Sequence, residues 1–258
     1  MWAAPGTSRR PHRCGPGEGA TAPAQRQRTS VVLMVCGLVL MLLPPGYLWW
    51  SDVTAETLQE QAVVRISDRL DSVGPGHPEE AAAGMSEPPQ SVPPAYAEPI
   101  GVVYVPRFGE DYVRPVMEGA GADVLDTLGL GHYPATAMPG ELGNFAVAGH
   151  RQSNGKALDR IHTLRPGDRI HVRTSQGYYT YSYRDSEIVA PDETRVLAPN
   201  PVDPAQAPVQ RLLTLTTCHP RYGATERHVA RAVLTAWRPA SSGPPEEIAT
   251  AVAAAGRL

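Results

Sequence analysis

The chain has 258 residues, 42% of them hydrophobic and 19% charged, with a formal net charge of −3. That length allows one domain of moderate size with appendages, and the charge excludes a polybasic nucleic-acid binder held by bulk electrostatics. The 24 Gly and 27 Pro predict extended stretches beside a folded core, while the hydrophobic content excludes a wholly disordered protein.

The first thirty residues are basic, with Arg9, Arg10, Arg13, Arg26 and Arg28 against Glu18. Residues 31–50 carry no charge, and at 1.5 Å of rise per helical residue they would cover about 30 Å of hydrocarbon. Pro44, Pro45 and Gly46 predict that the continuous helix stops early, leaving Tyr47, Trp49 and Trp50 as interfacial aromatics. The Arg cluster puts the amino terminus in the cytoplasm and everything after Trp50 outside. The alternative is a cleaved signal peptide with residues 31–43 as its apolar region. A thirty-residue leader and the lack of a clear Ala-x-Ala site argue against it.

Of the three cysteines, Cys14 falls in the basic tail and Cys36 in the apolar span, so Cys218 is alone in the exported part. A lone thiol in an oxidising compartment is explained by intermolecular pairing, by burial or by reactivity.

Between residues 55 and 73, Leu58, Ala62, Ile66 and Leu70 recur every four positions among Glu, Gln, Asp and Arg, which predicts an amphipathic stalk helix. Seven prolines between Gly74 and Pro99 predict an extended spacer. From Ile100 the texture changes to short β-rich runs separated by turn signals. Strands are predicted at 100–105, 112–117, 131–137 and 144–150. Asp123 is expected to cap a short helix that ends at Gly129, and a second short helix over 156–164 carries Leu158, Ile161 and Leu164 on one side. Further strands follow at 169–174, where Ile170 and Val172 point inward, and at 178–189, where Tyr179, Tyr181 and Tyr183 share a face of the barrel wall or of a groove. Strands at 212–218 and 227–237 complete a closed, mostly β domain. The Pro- and Ala-rich end after Trp237 reads as a loose tail.

The exported thiol ends the run Leu212-Leu213-Thr214-Leu215-Thr216-Thr217-Cys218. The period of two puts Thr214, Thr216 and Cys218 on one face and Leu213, Leu215 and Thr217 on the other. A free thiol with a pKa near 8.5 is only a few per cent thiolate at neutral pH, so a working nucleophile needs a base or a cation beside it. His219 points away from Cys218 in an extended strand. His150 is the better partner, because Ala146 and Ala148 share its face and allow close approach. Arg227 lies nine positions after Cys218, where a hairpin-like return would bring its guanidinium to the thiol. A planar donor fork there would stabilise the oxyanion formed by attack on an amide. His132, His162 and His171 lack the spacing of a metal-ligand set and read as surface or strand residues. Gly119-Ala120-Gly121 lacks the third glycine of a dinucleotide loop and reads as a turn. No cofactor is expected.

Ala148-Gly149-His150, Thr214 to Cys218 and Arg227 together resemble the active-site signature of sortases, over roughly residues 100–237. Gly131-His132-Tyr133-Pro134, with Thr136 and Pro139-Gly140 following, looks like class E, the housekeeping type of high-GC Gram-positive bacteria. The resemblance implies a closed eight-stranded barrel with two or so short helices, an amino-terminal membrane anchor, and catalysis by Cys218, His150 and Arg227. It also implies a Leu-Ala-x-Thr-Gly sorting signal on secreted protein substrates, a peptidoglycan-precursor amine as acceptor, and signal recognition by Tyr133. Thr216 and Thr217, beside the thiol, are further substrate-binding candidates. His219-Pro220-Arg221 departs from the Asn-Pro that relatives often carry after the cysteine. The expected organisation is a basic cytoplasmic tail (1–30), a transmembrane signal anchor (31–50), a stalk helix and spacer (51–99), the catalytic barrel (100–238) and a flexible tail (239–258). A hydrolytic cysteine peptidase would use the same thiol and histidine, and a non-catalytic tethered β-domain would leave the thiol inert.

Overall fold

The structure, a computed structural model, describes residues 23–72 and 87–256. Most of the basic tail with Cys14, most of the expected spacer, and the side chains of Pro44, Pro45 and Tyr47 lie outside the described residues. The chain divides into two compact units, Met1–Gly46 and Tyr47–Leu258.

Helix α1 (Pro23–Ser72) begins in the first unit and continues into the second. It does not stop at Pro44-Pro45-Gly46 as the sequence suggested. Each proline removes one N–H donor, and the hydrogen-bonded turns on either side outweigh that loss. Within the first unit the side chains of residues 31–43 are exposed on every face of the helix. Among the described residues, no helix is long and apolar enough to cross a membrane.

The second unit is a closed barrel of eight strands. They are β1 (Pro99–Tyr104), β2 (Val113–Glu118), β3 (Leu130–His132), β4 (Gly143–Ala148), β5 (Arg169–Arg173), β6 (Gly177–Val189), β7 (Arg211–His219) and β8 (Glu226–Pro239). Around the barrel the order is β1-β2-β3-β4-β7-β8-β6-β5, and β5 closes on β1. The pairs β2·β3 and β4·β7 are parallel and the rest antiparallel.

Alternation along the strands sorts the apolar side chains into two layers. Val103, Val116, Phe145, Val147, Ile170, Val172, Leu213 and Leu215 fill the barrel, and Tyr179, Tyr181 and Tyr183 join them as core residues rather than groove lining. On the outside, Val102, Tyr104, Met117 and Tyr178 form a second cluster with Val63 and Ile66 of α1 and with Ile248, Ala251 and Ala255. β1 therefore reads as an unbroken apolar run because both its faces are covered.

That outer layer corrects two expectations. The expected stalk is no free rod: Ala55, Gln59, Ala62, Val63, Ile66 and Ser67 of α1 are buried. Positions four apart drift by about 40° per step around a 3.6-residue helix, so Leu58 swings out to solvent while the 3- and 4-residue spacings stay on the buried face. The expected loose tail is also folded, with α3 (Ala249–Ala255) laying its alanines against the same layer. Small side chains let that short helix approach closely, a signal that the Ala-rich composition hid.

Smaller differences lie in the connections. The strand expected at 131–137 is only three residues long, and α2 (Ala122–Leu125) starts from Gly121 without a side-chain cap. The Asp123 carboxylate accepts instead from the Tyr96 hydroxyl at 2.6 Å. The helix expected at 156–164 is one 3-10 turn over Asp159–Thr163, with Leu158, Ile161 and Leu164 buried as predicted.

Candidate active site

The β4·β7 ladder sets Asn144 opposite Leu212 and Ala148 opposite Thr216. Gly149 N–H then donates to the Thr216 carbonyl at 3.1 Å, carrying the association one residue beyond β4. A β-carbon on Gly149 would stand 2.7 Å from Leu130 Cδ2, so a larger residue there would force the buried Leu130 side chain to shift. His150 and Cys218 each lie two residues past the Ala148–Thr216 pair, on chain segments that run side by side. On the other flank of β7, the antiparallel register sets Cys218 opposite Arg227.

Leu213 and Leu215 of β7 point into the barrel with Ala230 and Ala232 of β8. Strand alternation therefore turns Thr214, Thr216 and Cys218 outward, with Arg227 on the same side as its cross-strand partner. Three neighbouring chain segments thus carry His150, Cys218 and Arg227, with Cys218 in the middle.

His150 Nε2 lies 2.6 Å from Asp126 Oδ1. An ionised carboxylate only accepts, so Nε2 carries the hydrogen in this contact and Nδ1 is the nitrogen left to exchange a proton. Asp126 Oδ1 also accepts from Asn154 Nδ2 at 3.0 Å. Asp126 was missed in the sequence, where nothing links it to a histidine 24 positions on.

Cys218 is a partly buried free thiol. Its carbonyl accepts from Arg151 Nη1 at 3.2 Å, and Arg151 also reaches His219 Nδ1 at 3.0 Å. His219 faces away from Cys218, as strand alternation predicted, and its peptide bond to Pro220 is cis. The Arg227 guanidinium is aimed along the β7–β8 turn, donating to the carbonyls of Ala224 at 3.0 Å and Glu226 at 2.9 Å. The register thus delivers the Arg227 backbone as expected, while the turn carbonyls hold its fork.

The substrate-binding candidates separate. Tyr133 OH and Thr216 Oγ1 are 3.0 Å apart on the outer face. Thr217 is buried toward the barrel interior, and its hydroxyl donates to the Gly149 carbonyl at 2.7 Å. It braces the β7 and β4 ends and does not face a groove.

Beneath Tyr133, His132 ends β3, one of the two positions that the sequence suggested for it, and is fully buried there. Its Nδ1 meets Glu118 Oε2 at 2.7 Å and its Nε2 meets Thr136 Oγ1 at 2.8 Å, which ties the β3–β4 connection to β2. Asn144 joins the floor to the β6–β7 connection, accepting from Thr214 Oγ1 at 2.7 Å and donating to the carbonyls of Val196 and Ala198. At the mouth of the barrel His228 has no partner on either ring nitrogen among the described residues. Burial, followed by the charge of Arg151, pushes its pKa down to about 4.

Sortase SrtE1 of Streptomyces coelicolor is 30% identical over 237 residues, covering 89% of this chain. The chain spans only 62% of that relative's length. Among solved structures, the sortase SrtA from Actinomyces oris is 39% identical with a TM-score of 0.60, covering 63% of this chain and 94% of its own. Sortase E1 from Streptomyces coelicolor, with a tripeptide in its active site, is 32% identical with a TM-score of 0.54, covering 59% of this chain and 97% of its own. Residues 103–235 match the Sortase domain family, a span that takes in all eight strands wholly or in part together with His150, Cys218 and Arg227, so the chain belongs to the sortase family, with class E sortases among its relatives.

Proposed function

We propose that the chain is a cysteine transpeptidase that cuts a Leu-Ala-x-Thr-Gly-like sorting signal between Thr and Gly and joins the new carboxyl end to a peptidoglycan amine. The observation that supports this reading is the strand register, which sets Cys218 opposite Arg227 and leaves His150 and Cys218 each two residues past the same parallel pair. The tripeptide in the active site of the Streptomyces coelicolor relative supports a peptide ligand.

The Cys218 thiolate attacks the Thr carbonyl carbon, and the C=O electron pair moves to oxygen. Arg227 turns from the carbonyls of Ala224 and Glu226 to hold that oxyanion. Protonated His150 donates to the Gly nitrogen as the C–N bond breaks, leaving a thioacyl-enzyme and a free amine. The acceptor amine then attacks the thioester, neutral His150 takes its proton, and the thiolate leaves. Tyr133 and Thr216 contact the signal on the same face. Residues 31–50 anchor the chain in the cell membrane with the amino terminus in the cytoplasm and the barrel outside. The exposed apolar side chains of residues 31–43 and the basic segment before them support that reading.

The test is intact-protein mass spectrometry with a Leu-Ala-x-Thr-Gly peptide, with and without an amine nucleophile. The expected result is a Cys218 thioacyl adduct that converts to amide-linked product, with neither species in Cys218→Ala. Turnover retained in Cys218→Ala would overturn the mechanism, and hydrolysis alone in excess amine would make the chain a peptidase.

A further inference from the structure

A relay of hydrogen bonds runs from helix α1 to His150. Gln59 Nε2 donates to the Asn154 carbonyl at 2.9 Å, Asn154 Nδ2 donates to Asp126 Oδ1 at 3.0 Å, and His150 Nε2 stands 2.6 Å from the same oxygen. Gln59 is 1% exposed and belongs to the buried face of α1. Its amide fills a slot that Gly155 leaves open, where a β-carbon would lie 2.6 Å from Gln59 Nε2. Gly129 borders the same amide, where a β-carbon would make ordinary contact with Gln59 Cδ at 3.4 Å. Both glycines have positive φ, at +81° for Gly155 and +98° for Gly129, so the slot needs the backbone freedom of both and the missing side chain of Gly155.

The segment that follows His150 is gripped at a second point. Lys156 Nζ pairs with Asp52 Oδ2 at 2.5 Å. Asp52 and Gln59 are seven residues apart, two turns along one face of α1. At these two grips, Asn154 and Lys156 are held at φ of 52° and 49°, the left-handed region that non-glycine residues seldom adopt. The side chain of Asp126 is 47% exposed, and the Asn154 amide is a second hydrogen bond on the oxygen that meets His150.

We propose that Asp126 is a positioning residue for His150, and that α1, acting through Gln59 and Asn154, holds the Asp126–His150 pair in working geometry. The helix is then a functional part of the acyl-transfer site as well as a support for the barrel. Asp126 accepts the Nε2 hydrogen and so selects the tautomer with a free Nδ1. Asn154 fixes the carboxylate, and Gln59 fixes Asn154. This inference rests on the transpeptidase reading above for its kinetic consequence, and its structural content stands apart from it.

The test uses the full chain with Asp126→Ala, Asp126→Asn, Gln59→Ala and the Asp126→Ala/Gln59→Ala pair. Transpeptidation kinetics are read beside melting temperature and the 15N imidazole spectrum of His150. Asp126→Ala is expected to lower kcat about 10- to 100-fold with KM within about twofold, as misplacement of a reacting group does. Asp126→Asn should recover part of that loss, because its carbonyl oxygen still accepts from Nε2–H. Gln59→Ala should lower kcat about 3- to 10-fold, and that loss should vanish when Asp126 is already Ala, because the two act in series. A purely structural Gln59 would instead give losses that multiply and track the melting temperature, which would overturn the role of α1. The spectrum needs no substrate. An Nε2–H tautomer in the wild type that becomes mixed in Asp126→Ala supports the positioning role even if the peptide is never processed, in which case only the substrate reading falls. An Nδ1–H tautomer in the wild type, or an unchanged kcat in Asp126→Ala, overturns it.

Discussion

Thr217 and Cys218 are sequence neighbours with opposite roles, because a strand turns alternate side chains to opposite faces. The thiol faces outward beside Arg227, and the hydroxyl faces inward and ties β7 to the Gly149 carbonyl. His228 pairs with Thr217 across the ladder and so also points to the barrel mouth, where Arg151, His219 and His162 surround it with positive or titratable groups. Its folded pKa of about 4 lies below the ordinary 6.5, so the unfolded chain binds the extra proton between those values. The stability this contributes is fully present above pH 6.5 and is lost as pH falls toward 4. The whole effect is on the order of 3 kcal/mol. Melts at pH 7 and 4.5 should show a steeper acid loss in the wild type than in His228→Gln, and equal slopes would rule the effect out.

At the scale of elements, the β3–β4 connection is positioned from below. His132 bridges Glu118 of β2 and Thr136, and Thr136 Oγ1 also donates to the Tyr133 carbonyl at 2.8 Å. His132→Ala would strand a buried carboxylate and release the segment that presents Tyr133. The expected cost is about 3 kcal/mol of stability, together with a raised KM for the sorting peptide and little change in kcat. Thermal melts and steady-state kinetics check this. A lower melting temperature with an unchanged KM would show that the pair supports the fold without placing Tyr133. Helix α1 shows how an element gains a role from what lies under it. Its periodicity announced an amphipathic helix, yet which face would be buried depended on α3 and on the outer side of β1, β2 and β6.

At the scale of the whole molecule, the proposed topology distributes the cysteines as three reporters. With intact cells, a membrane-impermeant maleimide should label Cys218 and leave Cys14 unlabelled until the membrane is permeabilised. Cys36 should react only in detergent. Labelling of Cys14 from outside would reverse the orientation, and labelling of neither Cys14 nor Cys218 would place the barrel in the cytoplasm.

The linear order of residues determined the mostly β architecture, the single cysteine at the end of a barrel strand, its outward face and its candidate partners. Those properties follow from composition, from a period of two along a strand, and from motifs short enough to read locally. Only the tertiary structure decided that Tyr179 and Tyr181 belong to the core, that the carboxyl end packs as α3, that the guanidinium of Arg227 rests on turn carbonyls, and that His150 meets Asp126. The physical reason is distance along the chain. Asp126 reaches its histidine across 24 positions and Gln59 reaches Asn154 across 95, and no local pattern records a hydrogen bond whose partners are brought together only when the barrel closes.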